Sequence, residues 1–401
     1  MSTLVCPIVH VDKWARHPNA DTLGVAHVLG NCVIFRIADF LKPIPPEKDP
    51  LIWGIQIGDA IYQKGTFNAV FIPEEALLPE DPRWAFLWAN RAKEGKTIRE
   101  IDRVVKALKL RGIFSCGLLV PVPVACPECG GYSELYKMIT TNPPICPVCY
   151  GTQSPIISRD VGTDMAELWG ITKFEKPEQV GSGGDNVSGP PWFQKYTEIE
   201  NARGLVDRST SQARHTIFEG YNVVITEKIH GANTRYTYWE DKFWVGSHAN
   251  TKALDSVNWW TRAAKLQGIE EICKKNQGLL LFGEVCGPVQ KGYPYGQKVP
   301  YFVLFDIYDY KAEEPYWYSW DDVRRFCDYT GVLEVPELYR GPWVSLEHAA
   351  SFADGPSQFP GADHNREGCV VKADPEIYNP YVGRGILKIV GEEYLLRKYK
   401  V

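Results

Sequence analysis

Three apolar, strand-like runs in the second half of the chain carry four charges where strand interiors should have none. Residues 281–290 (LFGEVCGPVQ) place Glu284 inside an apolar strand. Residues 366–372 (REGCVVK) have Glu367 leading an apolar run that ends in Lys372, and residues 383–390 (GRGILKIV) put Lys388 in a third. An unpaired charge in such a strand is costly, so each of the four needs a partner. One charge is explained by an edge strand. Four together imply a polar pocket lined by residues from neighbouring strands. A further segment, 226–235 (TEKIHGANTR), ends a strand at Glu227 and then presents Lys228, with His230, Gly231 and Asn233 around it. Gly231 lets a ligand come close to the backbone. By itself the segment equally describes a surface lysine in a turn.

The pattern around these runs sets the fold class. Residues 222–227, 234–239, 242–245, 279–285, 301–308, 368–372 and 385–390 read as strands. Glu240 and Asp241 make a hairpin turn. Ser319 caps a helix that ends near Gly331. The order is not a regular βαβ alternation, so the class is α+β with antiparallel sheets. Residues 25–37, 59–72 and 111–122 are short apolar runs punctuated by Gly and Pro. Residues 96–110 carry Ile98, Ile101, Val104, Val105 and Leu108 at helical spacing. That combination predicts a small β-barrel with one helix. Residues 176–191 (KPEQVGSGGDNVSGPP) read as an exposed linker. The expected division is 1–124 for the barrel, 125–152 for a cysteine-bearing insert, 153–195 for a connector and 196–401 for the last domain.

Composition bounds the function. The 401 residues carry 44 basic against 49 acidic side chains, a net charge of -5. A polybasic binder is excluded, so any nucleic-acid contact must use a local patch. No apolar run approaches the roughly 20 residues that span a bilayer, and no basic region precedes an apolar stretch at the N-terminus. A cytoplasmic monomer without membrane association is expected.

Taken in order, Lys228-Ile-His230-Gly231-Ala-Asn233, Phe282-Gly283-Glu284, FVLFDI at 302–307, Glu367-Gly-Cys-Val-Val-Lys372 and Leu387-Lys388-Ile389 resemble the motifs of the covalent nucleotidyltransferases. Their spacing is most similar to the RNA ligase 2 superfamily. HPNADTLGVAHV at 17–28, GDAIY at 58–62, KLRGIFSCGLLVP at 109–121 and GITKFE at 170–175 are similar to the Naegleria- and Deinococcus-type group, also called RNA ligase 5, with its N-terminal OB domain. The resemblance implies an ATP-dependent RNA ligase. In that reading Lys228 forms a lysyl-AMP phosphoramidate, helped by a pKa that Lys372, Lys388 and a divalent metal lower. Glu284 and Glu367 hold Mg²⁺ or Mn²⁺ through waters, and the metal and the two lysines neutralise charge on the transferring phosphate. Phe305 stacks on adenine, the backbone around Glu227 reads the adenine amino group, and His230 and Asn233 line the phosphate side. The partner is RNA with 5′-phosphate and 3′-hydroxyl ends.

Two departures from the family pattern stand out. His248 occupies the place of a ribose- and phosphate-binding arginine, and the last motif keeps Lys388 with Ile386 where some members have another lysine. A DNA ligase or capping enzyme usually has Asp where His230 stands and places its OB domain after the catalytic one. The remaining alternative is a nucleic-acid-binding protein whose barrel and ribbon are the function and whose last domain is inactive. Trp14, Arg16, Arg36, Lys64, Arg103, Lys106, Lys109 and Arg111 would furnish a binding face on the barrel, and they equally read as ordinary solvated groups.

Of the 11 cysteines, seven stand singly in apolar contexts, as reduced, buried small hydrophobes do. The other four are paired: Cys126 with Cys129 in CPECGG, and Cys146 with Cys149 in CPVCYG. This is zinc-ribbon spacing, and four thiolates close a tetrahedral site that leaves no position for catalytic water. A pair of disulfides is the other reading, disfavoured in a reducing compartment. The spacing predicts one structural Zn²⁺ per chain, and metal analysis of the purified protein checks it. Absence of zinc, with all the thiols reactive in the native state, contradicts it.

Overall fold

The computed structural model describes residues 4–20, 22–41, 54–57, 60–63, 65–122, 160–174, 186–206 and 212–398. The chain divides into two compact units, one built from 177–202 and 214–400 and the other from 2–176 and 203–213. Both are rich in sheet, and the fold is α+β. No helix among the described residues is long and apolar enough to cross a membrane.

The larger unit holds two sheets. Its main strands are β1 (Asn222–Lys228), β2 (Ala232–Trp239), β3 (Lys242–Ser247), β4 (Leu279–Cys286), β5 (Tyr301–Asp309), β6 (Glu337–Pro342), β7 (Gly368–Ala373) and β8 (Ile386–Val390). The seven-stranded sheet runs Asn186–Val187, Thr251–Lys252, β3, β2, β4, β5, Tyr316–Trp317. The five-stranded sheet runs Glu200–Asn201, β8, β7, β1, β6. All pairs among β1 to β8 are antiparallel, as the irregular order of strands and helices predicts.

Local chemistry fixes these elements. Glu240 and Asp241 both have positive φ, 53° and 55°, the backbone of a two-residue turn whose twist matches the strands it joins. Helix α1 (Trp320–Thr330) begins at Ser319, whose hydroxyl accepts from Asp322 N, and ends at Gly331 with φ 75°. Both caps are those read from the sequence. One face of the seven-stranded sheet buries Tyr236, Phe302, Leu304 and Ile307 against Val323 and Phe326 of this helix.

The opposite face turns toward the five-stranded sheet. Leu280 and Phe282 of β4 meet Val370 of β7 and Ile386 of β8 there, and Phe193 and Tyr196 are wedged between them. Register along β4 and β5 breaks between Phe282 and Gly283, which pair with Asp306 and Leu304. Phe305 is therefore the extra residue of a bulge, a device that re-aims a side chain.

The smaller unit contains a three-stranded sheet of Ile8–Val11, Phe67–Ile72 and Leu118–Pro121, and another of Trp14–Arg16, Leu23–Val28 and Asn31–Arg36. The apolar stretch 25–37 is thus a hairpin, turning at Leu29 and Gly30, both with positive φ. The helix expected over 96–110 does not form. Only Glu100–Arg103 makes a 3₁₀ turn, and Leu108–Leu110 is a strand paired with Ile113–Ser115. The reason is that residues 103–105 find backbone partners across the chain. Leu78 N donates to Arg103 O, and Val105 N donates to Ala76 O. For β-branched Val104 and Val105, extended backbone with a partner outcompetes a helix.

The expected linker is partly a strand. Asn186–Val187 pairs with Thr251–Lys252, and the Asn186 side chain accepts from Lys252 Nζ at 2.8 Å. The four paired cysteines and residues 175–185 lie outside the described residues. Six of the seven single cysteines are buried and Cys32 is half-buried.

A Cβ at Gly283 would run into the Val303 carbonyl and the Phe302 ring, both fixed by the sheet. Gly283→Ala is expected to lose about 1–3 kcal/mol of stability through overpacking, read from the denaturant midpoint. An unchanged midpoint contradicts this packing.

Candidate active site

Register decides which side chains share a face. Lys228 lies opposite Gly368, Lys388 opposite Val370, and Lys372 opposite both Val224 and Ile386. Directly paired residues of antiparallel strands point the same way. Lys228, Lys372 and Lys388 therefore stand on one face of the five-stranded sheet, the face that meets the other sheet. On that other sheet Asn233 pairs with Glu284 and Arg235 with Phe282, so these four share the opposing face.

The centre of the cleft is a set of charges. Lys228 Nζ donates to Glu367 Oε1 at 2.8 Å, and His230 Nδ1 lies 3.1 Å from Glu367 Oε2. Glu284 Oε1 accepts from Gly231 N at 3.2 Å. A side chain at Gly231 would collide with the Val285 carbonyl and Glu284, so the backbone approaches the carboxylate only because this residue is glycine. His230 is further held by Tyr295, whose hydroxyl accepts from His230 N at 2.7 Å, and by the edge-on rings of Tyr293 and Tyr394. The structure thus brings together Lys228, His230, Asn233, Glu284 and Glu367, as the sequence predicts.

The protonation states differ from expectation in one respect. The sequence reading has neighbouring lysines lowering the pKa of Lys228. Burial does disfavour its ammonium, but Glu367 and Glu284 outweigh burial and raise the pKa above the ordinary lysine value. Lys372 is not available for the expected effect, because its ammonium is 2.9 Å from Asp306 Oδ1. Despite its burial, Glu367 is held down at about 2 by Lys228 and His230. Glu284 is pushed up to about 8, first by burial and then by the charge of Glu367, with Lys228 opposing.

The second cluster was not read from the sequence. Asp306 is fully buried and takes Lys372 on Oδ1, and Tyr196 Oη at 2.8 Å and Arg384 Nη2 at 2.9 Å on Oδ2. Burial alone would raise its pKa, yet Lys372 and Arg384 hold it below the usual value. Arg384 also pairs with Glu376 and lies 3.5 Å over the Trp317 ring. The signal was present: Asp306 is a lone acid in an apolar run, the same pattern that picks out Glu284.

The remaining predicted residues fall at the edges. Phe305, at the bulge, stands edge-on to Tyr196 with ring centroids 4.9 Å apart. His248 lies exposed in the turn after β3. The Glu227 side chain turns away from the Lys228 face and holds Ser357 Oγ and Gln358 N. Among the described residues no group of three or more His, Cys, Asp or Glu gathers around a point. Glu284 and Glu367 are a two-carboxylate set, which fits a divalent cation that keeps most of its waters. Glu284 has the Gly231 amide as its hydrogen-bond donor, and burial followed by the charge of Glu367 raises its pKa, a strain that a cation between the two carboxylates would relieve.

A model of one protein family covers this arrangement from β1 through β8. Residues 221–390 match the RNA ligase family model. Over this stretch the chain is similar to RNA ligases. No curated protein matches the chain in sequence. Solved structures of the Naegleria gruberi RNA ligase are similar over nearly the whole length. A mutant with ATP and Mn has a TM-score of 0.67 at 20% identity, covering 99% of each chain. The protein with PPi gives the same score and identity, covering 100% of this chain and 99% of that one. A mutant with AMP and Mn gives 0.66 at 20% identity, with 99% of each chain covered. The likeness of fold to these structures therefore takes in residues of both compact units.

The Lys228–Glu367 pair makes a testable demand. Glu367→Gln removes the larger of the two carboxylate influences on Lys228, so its pKa must fall. The midpoint for reaction of Lys228 with an amine reagent, followed by peptide mass spectrometry, is expected to drop by roughly 1–3 pH units. An unchanged midpoint contradicts the assignment.

Proposed function

We propose that this protein is an ATP-dependent RNA ligase that joins 3′-hydroxyl and 5′-phosphate ends. The observation that carries the reading is a partly buried lysine, Lys228, held by Glu367 beside Glu284, inside the stretch that matches the RNA ligase model. The ATP, AMP and Mn named for the Naegleria structures support it.

In the first step Lys228 Nζ sheds its proton, leaves Glu367 and attacks the α-phosphorus of ATP. A P–N bond forms and pyrophosphate departs. AMP then passes to an oxygen of the RNA 5′-phosphate, which frees Lys228. Finally the 3′-hydroxyl attacks that phosphorus, closing the phosphodiester and releasing AMP. Covalent capture divides one difficult substitution into easier ones. Glu284 and Glu367 would hold Mg²⁺ or Mn²⁺, which supplies charge neutralisation on the phosphates. Lys388 adds positive charge on the same face, Lys372 would add its own on exchanging Asp306 for a phosphate, Phe305 stacks on adenine, the backbone at Glu227 reads its amino group, and His230, Asn233 and His248 line the nucleotide.

The reading extends to the rest of the chain. Residues 1–124 act as an OB-like barrel that grips RNA, and residues 125–152 form the zinc ribbon on Cys126, Cys129, Cys146 and Cys149. Residues 153–195 connect them to the catalytic part at 196–401.

With labelled ATP and a divalent metal, the unchanged protein is expected to keep label after denaturation and, when native, to transfer it to 5′-phosphorylated RNA. Lys228→Ala abolishes both, and Lys388→Ala loses labelling while melting normally. Label on the Lys228→Ala protein overturns the mechanism.

A further inference from the structure

Arg235 is a buried charge without a counter-charge. It is 4% exposed, and among the described residues no carboxylate pairs with it. Nη1 donates to the carbonyls of Ser247 and His248, whereas Nε is buried with no partner. The guanidinium lies over Gly246, where a side chain would collide with it, and 4.6 Å from the centroid of the Phe193 ring. Burial pushes its pKa down to about 10, and in place of a carboxylate it has two carbonyls and the Phe193 ring, which offset the charge only in part.

A folded chain retains a buried cation at a cost that an anion, when present, removes. The strand face says which anion. Arg235 is two residues along β2 from Asn233, on the face that carries Glu284 and looks toward Lys228. Asn233 Oδ1 is likewise buried without a partner. The two need opposite partners, since the Asn233 amide oxygen asks for a donor such as a ribose hydroxyl and the Arg235 Nε–H asks for an acceptor such as a phosphate oxygen, and a nucleotide carries both. We propose that Arg235 is a nucleotide-binding residue that donates to a phosphate oxygen of bound ATP, and that through Ser247 and His248 it also shapes the turn beside it. Arginine is suited to this double task because its planar fork serves two acceptors at once. The proposal rests on the ligase reading and adds to it a residue outside the motifs that identify the site.

The test is covalent labelling of the full chain across a range of ATP concentrations, for the unchanged protein, Arg235→Met and Arg235→Lys, with melting curves for each. Met fills much of the volume without charge. The expected result is that Arg235→Met folds and needs about ten- to a hundred-fold more ATP for half-maximal labelling, the range for a lost charge-assisted hydrogen bond. Labelling at saturation is retained, and Arg235→Lys shows a smaller rise. A folded Arg235→Met protein with unchanged ATP dependence, or with reduced saturation at unchanged half-saturation, overturns the proposal and leaves Arg235 as a clamp on the turn. Should Arg235→Met fail to fold, Arg235→Lys decides in the same way. Absence of labelling in the unchanged protein would instead overturn the ligase reading, and this inference with it.

Discussion

Lys228 and Glu367 form an ion pair in a cleft where water is scarce, and much of the site's geometry follows from it. Glu367 alone accounts for a 2.8 Å contact to Lys228 and a 3.1 Å contact to His230. Removing Lys228 would leave Glu367 as a charge with little solvent around it, the situation that destabilises buried pairs most. Glu284 completes the arrangement. Its carboxyl shares the cleft with Glu367 and is pushed up by burial and by that second carboxylate. Three groups thus hold one another in a state a bound nucleotide and cation would rearrange. The lysine is restrained as an ammonium until its partner is engaged otherwise, which separates its resting state from its reactive one.

The two sheets exist in this relation because their inner faces are mixed. Apolar residues such as Phe282, Val370 and Ile386 pack around Phe193 and Tyr196, and polar residues cluster beside them. Asp306 anchors that polar border. It binds Lys372 of β7, Arg384 of the short strand Gly383–Arg384 that precedes β8, and the hydroxyl of Tyr196 as well. A buried acid with two cations and a hydroxyl is satisfied on both oxygens, and it ties the five-stranded sheet to the seven-stranded one. The bulge at Phe305 sits immediately before it, so the residue proposed to stack on adenine is positioned by a break in register whose neighbour is pinned.

Much of this was legible in the sequence, for a physical reason. Glu284, Glu367 and Lys372 stand in apolar strands, where period and polarity conflict, and such conflicts mark sites. Strand limits and the caps at Ser319 and Gly331 were readable because they depend on neighbours in the chain. What was missed depends on residues far apart. The pairing of Lys372 with Asp306 spans 66 positions, and no spacing rule reveals that it withdraws Lys372 from Lys228. Residues 96–110 misled because apolar residues at helical spacing also suit a chain that zigzags into contact with 75–78. Arg235, in a run of otherwise ordinary strand residues, gave no signal until its lack of an acid could be seen.

The account stands on Lys228 as the residue that carries AMP. Peptide mapping of the full chain after incubation with ATP and Mn²⁺ tests this most directly. An AMP adduct on the peptide containing Lys228, released by pyrophosphate, is the predicted result. An adduct on Lys372 or Lys388, or none under conditions where ATP binds, would contradict it.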